Sequence, residues 1–104
     1  MQSKETILCS AIWYKDLPTP AHRPSNVDTG IVFCGYGHVH CLHQMCAITG
    51  KRQCEVGEEI QGFLTSRNRF VDRQEAAKIA IACGQITKLN YNKTKLYSED
   101  LYEY

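Results

Sequence analysis

A helix whose two ends are both specified locally constrains this chain more than any other feature. Asp72 can serve as N-cap and Glu75 follows three residues later, the spacing of a capping box in which each side chain satisfies the other's backbone donor. Val71 and Ala76 occupy the two hydrophobic-staple positions around that start. Ala76, Ile79, Ala80 and Cys83 recur at helical spacing as the packing face, while Arg73, Gln74 and Lys78 fall elsewhere on the wheel. Gly84 supplies the left-handed stop. The stretch from Gly62 to Gln85 therefore reads as a strand, a basic turn and a capped helix.

The turn ahead of that helix gathers Thr65, Ser66, Arg67, Asn68 and Arg69: hydroxyls, an amide and two guanidinium groups. Phosphate oxygens are bound by such donors, and a helix N-terminus adds the positive end of its dipole. The charge of Asp72 opposes an anion placed directly over the helix end, so an anion belongs beside it, nearer the arginines. The same residue types also describe an ordinary solvated turn.

The remaining chain divides into recognisable pieces. Ile7 to Tyr14 alternates as a strand with one or both faces covered. Asp16 to Thr29 contains Pro18, Pro20 and Pro24 and reads as an extended, hydrogen-bond-poor loop carrying His22 and Arg23. Gly30 to Cys34 is a second strand, broken by Gly35-Tyr36-Gly37. Val39, Leu42, Met45 or Cys46, and Thr49 predict a helix over His38 to Thr49 with its stop at Gly50. Lys51 to Gly57 is a loop, Glu59 to Thr65 a strand, and the tail predicts a hairpin around Asn92-Lys93 ending in an acidic, tyrosine-rich stub. The expected fold is α+β, a small antiparallel sheet packed with two α-helices, in one domain over residues 1–104. A chain of 104 residues can bury a modest core without a metal or disulfides.

Several function classes lose support. Twelve lysines and arginines face 11 aspartates and glutamates, and a net charge of +1 gives no field for a nucleic acid polymer or a membrane surface. The apolar runs are too short to span a bilayer or form a secretion signal, so a cytoplasmic protein is expected. Without a secretion signal the six cysteines do not imply a disulfide framework, and Cys9, Cys34 and Cys83 read as small buried hydrophobes. His38, His40, Cys41, His43 and Cys46 are zinc-ligand types, but there is no Cys-x-x-Cys knuckle. Cys41 and Cys46 would point about 140° apart on a helix, so no metal or other cofactor is expected. No Cys and His combination stands out as an activated nucleophile, and no catalytic residue is assigned. Phe63, Phe70, Tyr14 and Tyr36 could stack on a purine or fill a core.

Four blocks carry a resemblance. Cys9-Ser-Ala-Ile-Trp-Tyr, Asn26-Val-Asp-Thr-Gly-Ile-Val-Phe-Cys-Gly, Gln61-Gly-Phe-Leu-Thr-Ser-Arg-Asn-Arg-Phe-Val-Asp-Arg-Gln-Glu-Ala and Ser98-Glu-Asp-Leu-Tyr resemble, in order, the phage-encoded Thoeris anti-defence proteins of the first type. The third block is the most specific. The resemblance implies a cytosolic sponge that sequesters a cyclic ADP-ribose isomer and, in some members, cyclic trinucleotides, without cleaving them. It also implies a dimer or an assembly of dimers such as a hexamer, with pockets at subunit boundaries. By motif position and residue type, the expected ligand contacts are Arg23, Thr65, Ser66, Asn68, Arg69, Phe70 and Arg73. A small nucleotide-processing enzyme of phosphodiesterase type, using His38, His40 or a cysteine, and a host-protein-binding module are the alternatives.

Overall fold

In the computed structural model, which describes residues 4–102, the alternating segment Ile7–Tyr14 forms strand β1. β2 (Ile31–Gly35) and β3 (Glu59–Thr65) pair with it on either side, and β4 (Phe70–Asp72) pairs with the outer edge of β3. The four strands make one antiparallel sheet in the order β2-β1-β3-β4. Three helices complete an α+β fold: α1 (His38–Thr49), α2 (Arg73–Ala82) and a single-turn α3 (Ser98–Leu101), with a 3-10 turn at Gln53–Glu55. The first two helices are those the sequence predicts; α3 and the three-residue β4 are additional.

One sheet face carries the helices. Ile12, Tyr14 and Phe33 pack against Cys41 and Met45 of α1, and Ile7, Phe63 and Val71 pack against Ala76, Ala77 and Ala80 of α2 together with Ile86 and Leu96. The opposite face presents Ala11, Trp13, Val32, Cys34, Ile60, Leu64 and Phe70, and the Pro-rich loop inserts Val27 into it. No helix among the described residues covers that second face.

α1 turns most of the expected stripe inward, with Met45 buried and Leu42 and Cys46 packed beside it, but Cys41 takes the place expected for Val39. Cys41 is fully buried and its thiol donates to the Ser10 carbonyl at 3.6 Å, whereas Val39 is 56% exposed. Apolar spacing alone fits two stripes that overlap at Leu42 and Met45, and only the docking angle on β1 chooses between them. Cys9, Cys34 and Cys83, expected to be buried, are all partly exposed.

α2 begins and ends as its sequence dictates. The Asp72 carboxylate accepts from the Glu75 N–H at 2.8 Å, and Val71 and Ala76 are both buried. The return half of the capping box is not made, because the Glu75 carboxylate turns to Arg69 instead, at 3.1 Å. At the other end Gly84 has φ 83°, and Gln85 N–H to Ala80 O (2.9 Å) with Gly84 N–H to Ile81 O (3.2 Å) completes a Schellman closure.

The tail forms no hairpin among the described residues. The Asn92 side chain accepts from the backbone N–H groups of Thr94 (2.9 Å) and Lys95 (3.1 Å), an Asx turn that sends the chain back toward α2. Leu96 is then fully buried, and Leu96 N–H to Arg73 O and Arg73 Nη1 to Leu96 O, both 2.9 Å, hold it there. The last two residues of the tyrosine-rich stub lie outside the described residues.

Gly62 marks where the sheet tolerates no side chain. A Cβ there would collide with the Val71 carbonyl and press on the ring of Phe70, which lies across the gap. Gly62→Ala is expected to destabilise the fold by about 1–3 kcal/mol through overpacking, read as a lowered urea midpoint at unchanged slope.

Candidate functional site

Three prolines deny the loop between β1 and β2 three backbone donors, yet side chains pin it throughout, which corrects the expectation of a hydrogen-bond-poor loop. The indole N–H of Trp13 donates to Thr29 O at 2.7 Å, and Thr19 Oγ1 accepts from Gly30 N–H at 2.9 Å. Arg23 bridges the loop internally, with Nε to Val27 O at 2.6 Å and Nη1 to Pro20 O at 3.1 Å. At the far edge the Asn26 amide acts as one extra rung of the sheet: its Oδ1 accepts from Phe70 N–H at 2.8 Å and its Nδ2 donates to Phe70 O at 2.6 Å. Ser25 N–H donates to Asn68 O at 2.7 Å beside it.

These bonds hold the loop over the helix-free face and leave a cleft of about 380 Å³ between them. Val32, Cys34 and Leu64 form its apolar floor, while His22, Arg23 and Asn68 stand at its polar rim. Asn68 reaches that position because the β3–β4 turn needs one residue at positive φ (56°), a conformation that asparagine tolerates better than most side chains. Its N–H donates to Thr65 O at 3.0 Å and its Nδ2 approaches Arg23 O at 3.5 Å. The volume lies within the range of small-ligand sites, roughly 300–1,000 Å³.

Of the residues singled out by sequence, the structure brings only Arg23 and Asn68 together at this cleft. Thr65 is fully buried, donates to Glu5 Oε2 at 2.6 Å and accepts from Arg67 N–H at 3.2 Å. Ser66 Oγ accepts from Thr6 N–H at 2.9 Å. Arg69 grips Glu5 with two nitrogens, each at 2.8 Å, and reaches Glu75 at 3.1 Å. Phe70 is buried edge-on to Trp13, ring centres 5.7 Å apart, beside Leu64 of the cleft floor. Arg73 lies under the tail: it donates to Gln61 at 2.7 Å, holds Leu96 O and sits 4.4 Å over the Tyr97 ring. Burial lowers its pKa, and with Gln61 and Lys95 it borders a second hollow of about 320 Å³.

Of the two histidines considered for catalysis, His40 is exposed and accepts from Gly37 N–H at 3.1 Å, whereas His38 is half-buried and engaged at both ring nitrogens. Nε2 donates to Gly62 O at 2.8 Å, which leaves Nδ1 to accept from Ser98 Oγ at 3.0 Å and from Arg73 at 3.4 Å. Ser10 lies 2.6 Å from Ser98 and extends the chain of hydroxyls into the core. Burial is the main cause that depresses the His38 pKa, with the Arg73 charge adding to it. Among the described residues no group of three or more His, Cys, Asp or Glu side chains converges as a metal would require.

Two residues that build the site carried little signal. Asn26, between Pro24 and Val27, looks like any turn asparagine, and Glu5 lies 64 positions from Arg69, beyond the reach of local spacing rules. Sequence reasoning took the 65–69 donors as available to a ligand, when most of them are engaged within the fold.

A helix-backed antiparallel sheet with a loop-walled, ligand-sized cleft on its other face defines a small α+β protein with one candidate binding site of mixed polarity. The family model described as Phage T4 y16D protein matches residues 6–102, and the chain belongs to that family of phage proteins. No curated protein and no solved structure matches it. No helix among the described residues is long and apolar enough to cross a membrane.

Two outcomes follow for the scaffold. The hydrogen bonds and charge of Arg69, with the Thr65 hydroxyl, hold the Glu5 carboxyl at about 2, below its ordinary 4.5. A depressed carboxyl stabilises the fold fully above its unfolded value and loses that contribution as pH falls. Unfolding midpoints should therefore drop between about pH 4.5 and 2, and Glu5→Gln should flatten that dependence. Asn26→Ala should cost about 1–3 kcal/mol by leaving Phe70 N–H and C=O without their partner, seen as a lower melting temperature and faster amide exchange at Phe70.

Proposed function

We propose that this chain binds and sequesters a cyclic nucleotide second messenger without cleaving it. A cyclic ADP-ribose isomer is the first ligand and cyclic trinucleotides a second class. In this reading the chain is a first-type Thoeris anti-defence protein, working in the cytoplasm of the infected bacterium and blocking Thoeris and related cyclic-nucleotide immunity. The observation that carries the reading is the cleft, where an arginine and an asparagine stand over an apolar floor. Adenine is a flat apolar ring that fits such a floor, and pyrophosphate and ribose oxygens accept from guanidinium and amide donors. Arg23 forms no ion pair with a carboxylate among the described residues, and no carboxylate lines the cleft to repel an anion.

The other residues take supporting roles. Thr65, Ser66 and Arg69 position the turn that presents Asn68, Phe70 flanks the floor beside Leu64, and Arg73 and Lys95, with Asp72 among them, border a second polar hollow. The cleft is shallow on its outer side, and a second copy of the chain closing over it would enclose the ligand; a dimer or an assembly of dimers is the form this favours. The absence of an acid–base pair at the rim, and the engagement of both His38 ring nitrogens within the fold, support binding over hydrolysis.

Incubation with a cyclic ADP-ribose isomer, heat denaturation and chromatography of the supernatant test the reading directly. Intact ligand should return in proportion to protein. Linear or hydrolysed product would overturn it in favour of a nucleotide-processing enzyme, and capture of a host protein without any ligand-dependent rise in melting temperature would favour a protein-binding module. Asn68→Gly keeps the backbone conformation and removes the amide, so binding should weaken by about 1 kcal/mol or more at an unchanged melting temperature. Arg23→Ala should weaken it by more than about 1.5 kcal/mol. Arg69→Ala, by contrast, should lower the melting temperature.

A further inference from the structure

We propose that residues 96–102 form a strap latched by neutral His38, and that protonation of His38 releases this strap from α2 and the sheet. Leu96 is buried in the core cluster that α2 shares with the sheet; its N–H donates to Arg73 O and its carbonyl accepts from Arg73 Nη1, both at 2.9 Å. Tyr97 then places its ring 4.4 Å from the same guanidinium. Ser98 is buried and bonds His38 Nδ1 at 3.0 Å and Ser10 Oγ at 2.6 Å. Tyr102 closes the strap by stacking on Tyr36, ring centres 4.0 Å apart.

The protonation state of one imidazole decides whether these contacts are compatible. Gly62 O can only accept, so the 2.8 Å contact places the proton of the neutral ring on Nε2. The lone pair at Nδ1 then receives both the Ser98 hydroxyl and Arg73 Nη2, the latter at 3.4 Å. A proton added at Nδ1 turns this acceptor into a donor. Ser98 can answer by turning its hydroxyl to Ser10, whose own hydroxyl donates to Tyr36 O at 3.3 Å. Arg73 cannot answer, because a guanidinium has no lone pair to offer and would stand against a second cation.

The groups around the ring leave that conflict standing. β3 contributes Gly62 O and the Phe63 ring, edge-on at 5.2 Å; β1 contributes Ser10, and α2 contributes Arg73. Glu59 of β3 and Glu99 of α3 are the carboxylates whose charge favours the proton, but Glu59 is held by Tyr14 at 2.8 Å and Gln53 at 2.6 Å, and both ring nitrogens are bonded elsewhere. Asp100 of the strap turns to the N–H groups of Tyr97 and Asn90. Arg73 forms no ion pair with a carboxylate among the described residues. Burial, with the Arg73 charge adding to it, outweighs the two glutamates and holds His38 below its ordinary value of 6.5. A ring exposed by release regains that value, so the latched form is fully favoured above about pH 6.5 and loses ground as pH falls below it.

Amide exchange followed residue by residue on the full chain, at about pH 7.5 and about pH 5, tests the latch. After correction for intrinsic exchange, protection of the Leu96 N–H should fall at least about tenfold on acidification, while Ala11 and Phe63 in the central strands keep theirs. His38→Gln retains a neutral donor and acceptor and should abolish the response. Arg73→Gln removes the opposing cation and should shrink it, which keeps the latch testable where His38→Gln does not fold. His40, exposed and edge-on to Tyr36 at 6.0 Å, is the other titrating ring near the strap, and His40→Gln should leave the response unchanged. Undiminished protection at Leu96, a loss shared equally by the central strands, a response that survives His38→Gln or is undiminished in Arg73→Gln, or one that vanishes in His40→Gln would overturn the proposal.

Discussion

Two hydrogen bonds from the single side chain of Asn26 hold the β1–β2 loop to the edge of the sheet, and the shape of the candidate site depends on them. Phe70 on β4 would otherwise present an N–H and a C=O with no strand beyond to receive them. A primary amide offers one donor and one acceptor in the spacing of a peptide group, so Asn26 completes the ladder where the sheet ends. The same pairing stations Val27 against Ala11 and Phe70 and brings Arg23 across from Asn68. Edge protection and cleft construction are therefore one interaction.

The sheet has two unlike faces, and the difference explains where a ligand could act. Helices fill one face with Tyr14, Phe63, Met45 and the alanines of α2. The other receives a loop, which covers Phe70 and Ala11 but leaves Val32, Cys34 and Leu64 at the bottom of a hollow. Glu5 and Arg69 stabilise this arrangement from outside the cleft: the carboxylate binds both the guanidinium and the Thr65 hydroxyl, fixing the ends of the β3–β4 turn. The turn is basic in composition, yet much of its donor capacity is satisfied within the fold. What reaches the cleft rim is Asn68 and, from the loop, His22 and Arg23.

Much of the fold was legible because local rules act over a few residues. The strands Ile7–Tyr14 and Glu59–Thr65, the helix His38–Thr49 and the stop at Gly84 lie where alternation, periodicity and end chemistry place them. The inward stripe of α1 was legible at Leu42, Met45 and Cys46 but not at its first turn, since Val39 and Cys41 both suit a helical pattern and only the angle at which α1 meets β1 selects Cys41. The tail failed for another reason: Asn92 reads as a hairpin turn, but it closes an Asx turn, and burial of Leu96 against α2 outweighs the pairing preference of the segment.

The sequence by itself determined the helix and strand boundaries, the left-handed glycine at the end of α2 and the presence of a basic, hydroxyl-rich turn beside a proline-rich loop. All of these follow from backbone sterics and side-chain hydrogen bonds within a turn or two. Only the tertiary structure decided which of those polar groups face a cleft. Glu5 meets Arg69 and Asn26 meets Phe70 across 64 and 44 positions of chain. Whether an arginine binds a ligand or a carboxylate of its own chain depends on what folding brings within about 3 Å of it, a distance that no local pattern encodes.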